Sequence, residues 1–202
     1  MFLQRLFFQS IVLGFFLLMI GCATSKQMEV SASAEVDEKD VFIISHSFEA
    51  DPKTLFEMWT NSDRFSKWLG PKGAKMYFLS VGVREEGSSQ WTMTTSDGQT
   101  KYGKLHYKKI SPNDLLVYAQ NFCDKDGKLI KLPMAPTYPD TLLTTVTFTE
   151  EGPKKTKVTV RWEIYGEAAD AERQTFNGLK SVMKIGWGES FEKLASILKS
   201  KK

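Results

Sequence analysis

Histidine and cysteine are scarce in this chain, with two of each in 202 residues. A zinc or iron site needs three or four His, Cys, Asp or Glu ligands at workable spacing. His46 and His106 fall in separate strand candidates, and there is no cysteine pair, so no metal site is expected. Cys123 has no neighbouring histidine or cationic cluster to lower its pKa, and it reads as a quiet, half-buried residue. There is no nucleophile elbow and no glycine loop shaped to cradle phosphate, so no cofactor is expected either. Charge of one sign is also in short supply. Lys and Arg number 27 against 24 Asp and Glu, a net charge of +3, and the lysines are interleaved with acids. That balance is too mild to imply nucleic acid as a partner, and Lys201-Lys202 reads as a solvated end. No internal repeat of useful period is present.

Long apolar runs are missing too, apart from one at the start. Met1 to Gly21 carries a single charge, Arg5, followed by an uncharged run, Leu6 to Ile20, rich in Leu, Ile and Phe. A basic start, a short apolar stretch and a small residue before a cut describe a secretory signal over residues 1–21. Met19-Ile20-Gly21-Cys22 resembles the lipobox of bacterial lipoproteins. That resemblance implies cleavage before Cys22 and acylation of its thiol and amine by fatty chains such as palmitate. The alternative is an uncleaved anchor, but Leu6–Ile20 is shorter than the ~20 residues that span a bilayer, and Gln9 and Ser10 interrupt it. Cleavage would remove one positive charge, from +3 to +2, and a blocked Cys22 leaves Cys123 no disulfide partner. Several acyl chains on one residue anchor durably, where one is marginal. The expected address is therefore the bacterial cell envelope, with the protein on a membrane through Cys22. Ala23 after the lipidated position favours the outer membrane. Residues 22–40, small, polar and acidic, read as a flexible tether, and the folded domain as 41–202.

The domain is organised around its last stretch, Ala168 to Lys199. Phe176, Leu179, Met183, Trp187, Phe191, Leu194 and Leu198 recur three or four apart, one face of a long helix. Gly178, Gly186 and Gly188 weaken it by about 1 kcal/mol each relative to Ala, so it forms only when laid on a partner surface. Gly186-x-Gly188, inside the helix, suits close packing against a strand. Upstream, Val41–Phe48 is a strand candidate. Asp51-Pro52 and Asn61-Ser62-Asp63 start two short helices, the second stopped by Gly70-Pro71. Strand candidates follow at Met76–Val83, Gln90–Ser96, Lys101–Ile110, Leu115–Phe122, Leu142–Thr149 and Lys157–Tyr165. The stretch Asp124 to Asp140, with three prolines, reads as a long loop that roofs a pocket or merely connects. Alternation is clean in the last pair of strands: Val146, Phe148, Val158, Val160, Trp162 and Ile164 face one way, with Thr, Arg and Glu facing the other. Strands in a run with helices at the ends predict an α+β fold.

Three stretches carry a more specific likeness. Trp68-Leu69-Gly70-Pro71, Thr144-Thr145-Val146-Thr147-Phe148, and Met183 through Gly186-Trp187-Gly188-Glu189-Ser190-Phe191 resemble motifs of the START-like superfamily. The branch is the bacterial one related to the C-terminal domain of the heat-shock-protein-90 ATPase activator. The likeness runs from Val41 to Leu198. It implies a helix-grip fold, a curved antiparallel sheet of six to seven strands around the long C-terminal helix with a hydrophobic cavity between. It implies no particular reaction, since the superfamily includes apolar-ligand binders and aromatic-polyketide cyclases.

Trp68, Trp91, Met93, Tyr118, Phe148, Trp162, Met183 and Trp187 are candidates for the lining of such a cavity, each equally readable as ordinary core. His46, on the side of Phe42, Ile44 and Phe48, is either a hydrogen-bonded core histidine or a polar handle on the cavity wall. His106 reads as a surface residue. No catalytic residue is assigned. Three readings stay open, in this order: a tethered module binding a small hydrophobic or amphipathic molecule, a module docking an envelope protein through its outer sheet face, and an enzyme using His46.

Overall fold

The computed structural model describes residues 38–200. The signal segment, Cys22 and the tether up to residue 37 lie outside the described residues. The folded part starts before Val41, because Glu38–Asp40 form a 3-10 turn and Asp40 is buried. Asp40 is held on the far end of the chain. Its Oδ1 accepts a hydrogen bond from Asn177 Nδ2 at 2.8 Å, its Oδ2 accepts from Arg173, and Lys180 Nζ donates to the Lys39 carbonyl.

Seven strands form one antiparallel sheet: β1 (Val41–Phe48), β2 (Lys75–Ser80), β3 (Ser88–Thr94), β4 (Thr100–Ser111), β5 (Leu115–Cys123), β6 (Leu142–Gly152) and β7 (Lys155–Ile164). Their order is β1-β7-β6-β5-β4-β3-β2, so the first strand returns beside the last. Alternation sets the inner face. Leu142, Thr144, Val146 and Phe148 of β6 are buried, as are Val158, Val160 and Ile164 of β7, while Thr145, Thr147, Thr159 and Arg161 are not. Only β2 falls well short of its expected length, ending at Ser80 rather than Val83, where a register shift after Phe78 disrupts its pairing with β3.

Two short helices close one end. In α1 (Pro52–Thr60) the Asp51 carboxylate accepts from the Thr54 N–H at 2.8 Å, and Pro52 fits the first turn. Asn61 ends α1 and caps α2 (Ser62–Phe65), accepting from the Arg64 N–H at 3.0 Å. Leu55, Phe56, Met58, Trp59 and Phe65 turn into the core.

The C-terminal stripe is buried as its spacing requires: Phe176, Met183, Trp187, Phe191, Leu194 and Leu198. The single helix expected over Ala168–Lys199 is, however, two helices, α3 (Asp170–Gly178) and α4 (Lys180–Lys199). Leu179 separates them. Its N–H is shared between the Thr175 and Phe176 carbonyls, at 3.1 and 3.2 Å, and its own carbonyl still accepts from Met183 at 2.9 Å. The last turn of α3 tightens, and the hydrogen-bond ladder continues into α4. Gly178, the weakest helix former at that point, gives least resistance.

A second correction concerns the helix glycines. A Cβ built at Gly178, Gly186 or Gly188 would meet nothing within 4 Å, so they do not mediate close approach to a strand. The rings of Trp187 and Phe191 on the same helix are what meet the sheet side, and they hold the backbone off it. Gly188→Ala should therefore raise stability by up to about 1 kcal/mol, a melting temperature gain of roughly 2–4 °C for a chain of this size. A loss in thermal unfolding would mean that the glycine is sterically required.

Burial pushes the Asp40 carboxyl up, but the Arg173 and Asn177 hydrogen bonds, with the Arg173 and Lys180 charges, outweigh it and hold the group below its ordinary 3.8. A depressed folded pKa contributes stability above the unfolded value and loses it as pH falls through the folded value. Asp40→Asn should thus be less stable than the parent at pH 7, with the gap closing below about pH 4. A gap independent of pH in chemical denaturation would contradict this.

Candidate ligand cavity

The site begins where two distant segments are joined. Gly70, at φ 107°, is in a conformation that favours glycine, and a Cβ there would stand 2.9 Å from the Met93 methyl. Its N–H donates to Ser190 Oγ at 3.1 Å, and the Gly70 and Gly186 carbonyls lie 3.2 and 2.8 Å from that hydroxyl. The Lys72 N–H donates to Glu189 Oε2 at 2.8 Å, and Lys193 Nζ reaches the Pro71 carbonyl at 3.4 Å. Trp68, fully buried, donates its Nε1–H to the Met58 carbonyl at 3.0 Å and lies 6.4 Å, ring to ring, from Trp187. The turn after α2 is therefore pinned to the middle of α4 by three consecutive residues.

Beyond that joint, α4 and the sheet enclose a cavity of about 630 Å³, within the range of small-molecule pockets. The sheet side is Trp91 and Met93 of β3, Lys101 and Leu105 of β4, Tyr118, Gln120 and Phe122 of β5, Leu142 of β6 and Trp162 of β7. From α4 come Val182, Met183, Ile185, Gly186 and Trp187, and from the loop between β5 and β6 come Leu132, Met134, Ala135 and Tyr138. Trp91 lies across its register partner Gly103, where any Cβ would be 2.3 Å from the indole. The loop is fixed: Tyr138 packs between Phe122 and Phe176, at 6.2 and 6.5 Å, and Asn121 Nδ2 donates to the Asp140 carbonyl at 2.9 Å. The proline-rich stretch, expected either to roof a pocket or merely to connect, contributes Leu132, Met134, Ala135 and Tyr138 to the cavity lining.

Six of the nine sequence candidates come together here: Trp91, Met93, Tyr118, Trp162, Met183 and Trp187. Trp68 and Phe148 do not. They are core residues, packed around Trp59 at 4.3 and 5.4 Å. His46 also lies elsewhere. It keeps its expected side of β1, but β1 is an edge strand, so the imidazole is exposed, 4.6 Å from the Phe48 ring and 5.8 Å from Phe191 beside the end of α4. Neither the buried nor the cavity-wall reading of His46 describes that place. His106 is half-buried, 3.3 Å from Glu86. Lys101, Leu105, Gln120, Tyr138 and Ser190 were missed. Alternation through Tyr118 and Phe122 would have placed Gln120, and alternation through Gly103 and Leu105 would have placed Lys101.

The wall is neutral over most of its area. Burial pushes the Tyr118 hydroxyl far up, with neighbouring Tyr107 adding to the shift and the Thr144 hydroxyl opposing it, and burial alone does the same for Tyr138. Both stay protonated donors. Thr144 Oγ1 and Trp162 Nε1, register neighbours on β6 and β7, are sealed in the protein without a hydrogen bond of good geometry. Burial pushes the Cys123 thiol up, Lys104 opposing, which keeps it unreactive. Among the described residues no group of three or more His, Cys, Asp or Glu is placed to hold a metal ion, and no helix is long and apolar enough to cross a membrane.

A curved antiparallel sheet closed by a C-terminal helix, with this joint between the Gly70 turn and Ser190, is the setting of a family match. Residues 49–199 match the family described as Activator of Hsp90 ATPase homolog 1-like protein. The chain belongs to that family. Solved structures similar to it include a protein from Arthrobacter aurescens (22% identity, 83% of this chain and 92% of that one, TM-score 0.68). Another is from Mycobacterium smegmatis (16%, 81% and 95%, TM-score 0.66). A third, from Silicibacter pomeroyi, is itself named for the activator family (14%, 80% and 99%, TM-score 0.62). At these identities the likeness is one of fold. No curated protein matches the chain.

In this activator-like domain Ser190→Ala would leave the buried Gly70 N–H unpaired, a loss of about 1–3 kcal/mol. Urea unfolding should show it, and a variant as stable as the parent would show that the joint carries no weight.

Proposed function

We propose that the chain is a membrane-tethered envelope lipoprotein whose domain holds a small hydrophobic or amphipathic molecule between sheet and C-terminal helix. The observation that carries this is the cavity of about 630 Å³ walled mainly by Trp, Phe, Leu, Met and Tyr side chains. Apolar surface left around a void forfeits dispersion contacts and burial that a ligand restores. Its rim supports the same reading. Met134, Val182 and Ile185 border the cavity and are 57, 60 and 63% exposed, apolar surface that a ligand at the rim would cover.

The tethering half of the proposal rests on the apolar run Leu6–Ile20 and on Cys22 after Gly21. The geometry of the domain is compatible with it. The Glu38–Asp40 turn is tied to α3 and to Lys180, the first residue of α4. Val182 and Ile185 follow within about 8 Å along that helix, so the chain enters the domain near the cavity rim.

The test is thermal unfolding of delipidated mature protein, starting at Cys22, with single-chain lipids and aromatic compounds. A ligand at a hundredfold its Kd stabilises by about 2.7 kcal/mol, roughly 5–10 °C at this chain length. Gly186→Leu is the control. Its Cβ has open space and its side chain enters the cavity, so it should fold and lose the shift. No shift with any compound would count against binding.

A second reading, docking of an envelope protein, is supported by Tyr77 and Leu79 on the edge strand β2 and Val81 just after it, exposed by 52–60%. Capture of an envelope protein that survives Gly186→Leu but fails in Leu79→Glu would favour it.

A further inference from the structure

Three charged side chains reach the cavity wall: Lys101, Asp140 and Glu189. Two are already satisfied. Asp140 Oδ1 lies 2.8 Å from Lys131 Nζ, and Glu189 Oε2 accepts the Lys72 N–H at 2.8 Å. Lys101 has no carboxylate within ion-pair distance among the described residues. Among the described residues its charge neighbour is Asp97 on the exposed turn before β4, which it influences from farther away. It is half-buried on the inner face of β4, opposite Met93 in the register and two residues from Gly103, over which Trp91 lies.

Lys101 is a half-buried residue lining a mainly apolar cavity, and its ammonium forms no ion pair among the described residues. An anionic group entering with a ligand would supply one, in a charge-assisted hydrogen bond. Lys101 stands at the start of β4, near the turn, so a head placed there keeps some water. From it, Met93 and Trp91 lead inward to Tyr118 and Trp187, which offer neutral surface suited to an alkyl chain. We propose that the ligand is a single-chain amphiphile with an anionic oxygen head, the head bound by Lys101 and the chain running into the cavity. This rests on the reading of the cavity as a ligand site and adds the chemical class of the ligand. The head chemistry is shared by alkyl carboxylates and alkyl phosphates.

The experiment is native mass spectrometry of the full chain in a non-ionic detergent, titrated separately with dodecanoate, dodecyl phosphate and dodecanol at pH 7.5. Parent, Lys101→Met and Lys101→Arg are measured in the same detergent, with thermal unfolding as a check that each variant folds. At least one anionic compound should bind roughly tenfold or more tighter than the alcohol. Lys101→Met should lose that preference while keeping its affinity for dodecanol, and Lys101→Arg should retain it. Which anion is preferred assigns the source, a fatty acid or a phosphate-headed lipid. Equal affinity for acid and alcohol in the parent, or a preference that survives Lys101→Met, overturns the inference and leaves the cavity reading standing. If none of the three binds, both fall together.

Discussion

Ser190 and Gly70 are 120 residues apart, and the hydrogen bond between them decides where α4 crosses the sheet. A buried N–H must find a partner or lose its hydration without return. Here the partner is a hydroxyl on the helix, flanked by Glu189 and Lys193, which grip the next two residues of the same turn. Toward one side of this joint the space is full. Trp59 packs at a tilt against Trp68 and edge-on against Phe148, and Trp68 edge-on against Phe65, and no ligand could enter without displacing them. Toward the other side lies the cavity between α4 and the sheet.

What keeps it open is an arrangement of large and absent side chains. Trp187 reaches toward Trp162 at 5.6 Å and Phe191 toward Phe48 at 5.5 Å, and such aromatic pairs separate helix and sheet backbones by their own width. Gly186, between Ile185 and Trp187, adds no side chain to fill the gap, and nothing lies within 4 Å of where one would start. The third wall is the loop between β5 and β6, which Tyr138 and Asn121 fasten to the sheet. A cavity bounded by strand, helix and fastened loop can persist empty and accept an apolar occupant with little rearrangement, which lowers the cost of binding. Among the described residues the charged side chains that reach that space are Lys101, Asp140 and Glu189, and His46, the residue on which a catalytic reading depended, faces solvent instead.

The fold was legible in the sequence because it is written in periodicities. Val158, Val160 and Ile164 alternate, Met183, Trp187, Phe191 and Leu194 recur at helical spacing, and both patterns survive because each face has one environment. The cavity was only partly legible. Alternation says that Trp91, Trp162 and Phe148 face inward, but not that the first two meet empty space and the third meets Trp59. That division depends on where α4 crosses, a tertiary fact carried by Ser190, and a serine in a helix has no periodic signal. His46 misled for a related reason: an inward direction on an edge strand is not burial. Gly186 and Gly188 misled in the opposite sense, since small residues suit close packing and open space equally well. Lys101 is invisible in a chain with 27 basic residues until its neighbours are known.

The account stands on a space between α4 and strands β3, β5 and β7 that is kept for an occupant. A crystal structure of the protein isolated from the cells that make it, without added lipid, addresses that directly. The expected result is elongated density beginning near Lys101 and running past Met93 and Trp91 toward Trp187, with α4 in its present position. A helix settled flush against the sheet, with Met183 and Trp187 filling the interior and no density between, would contradict it.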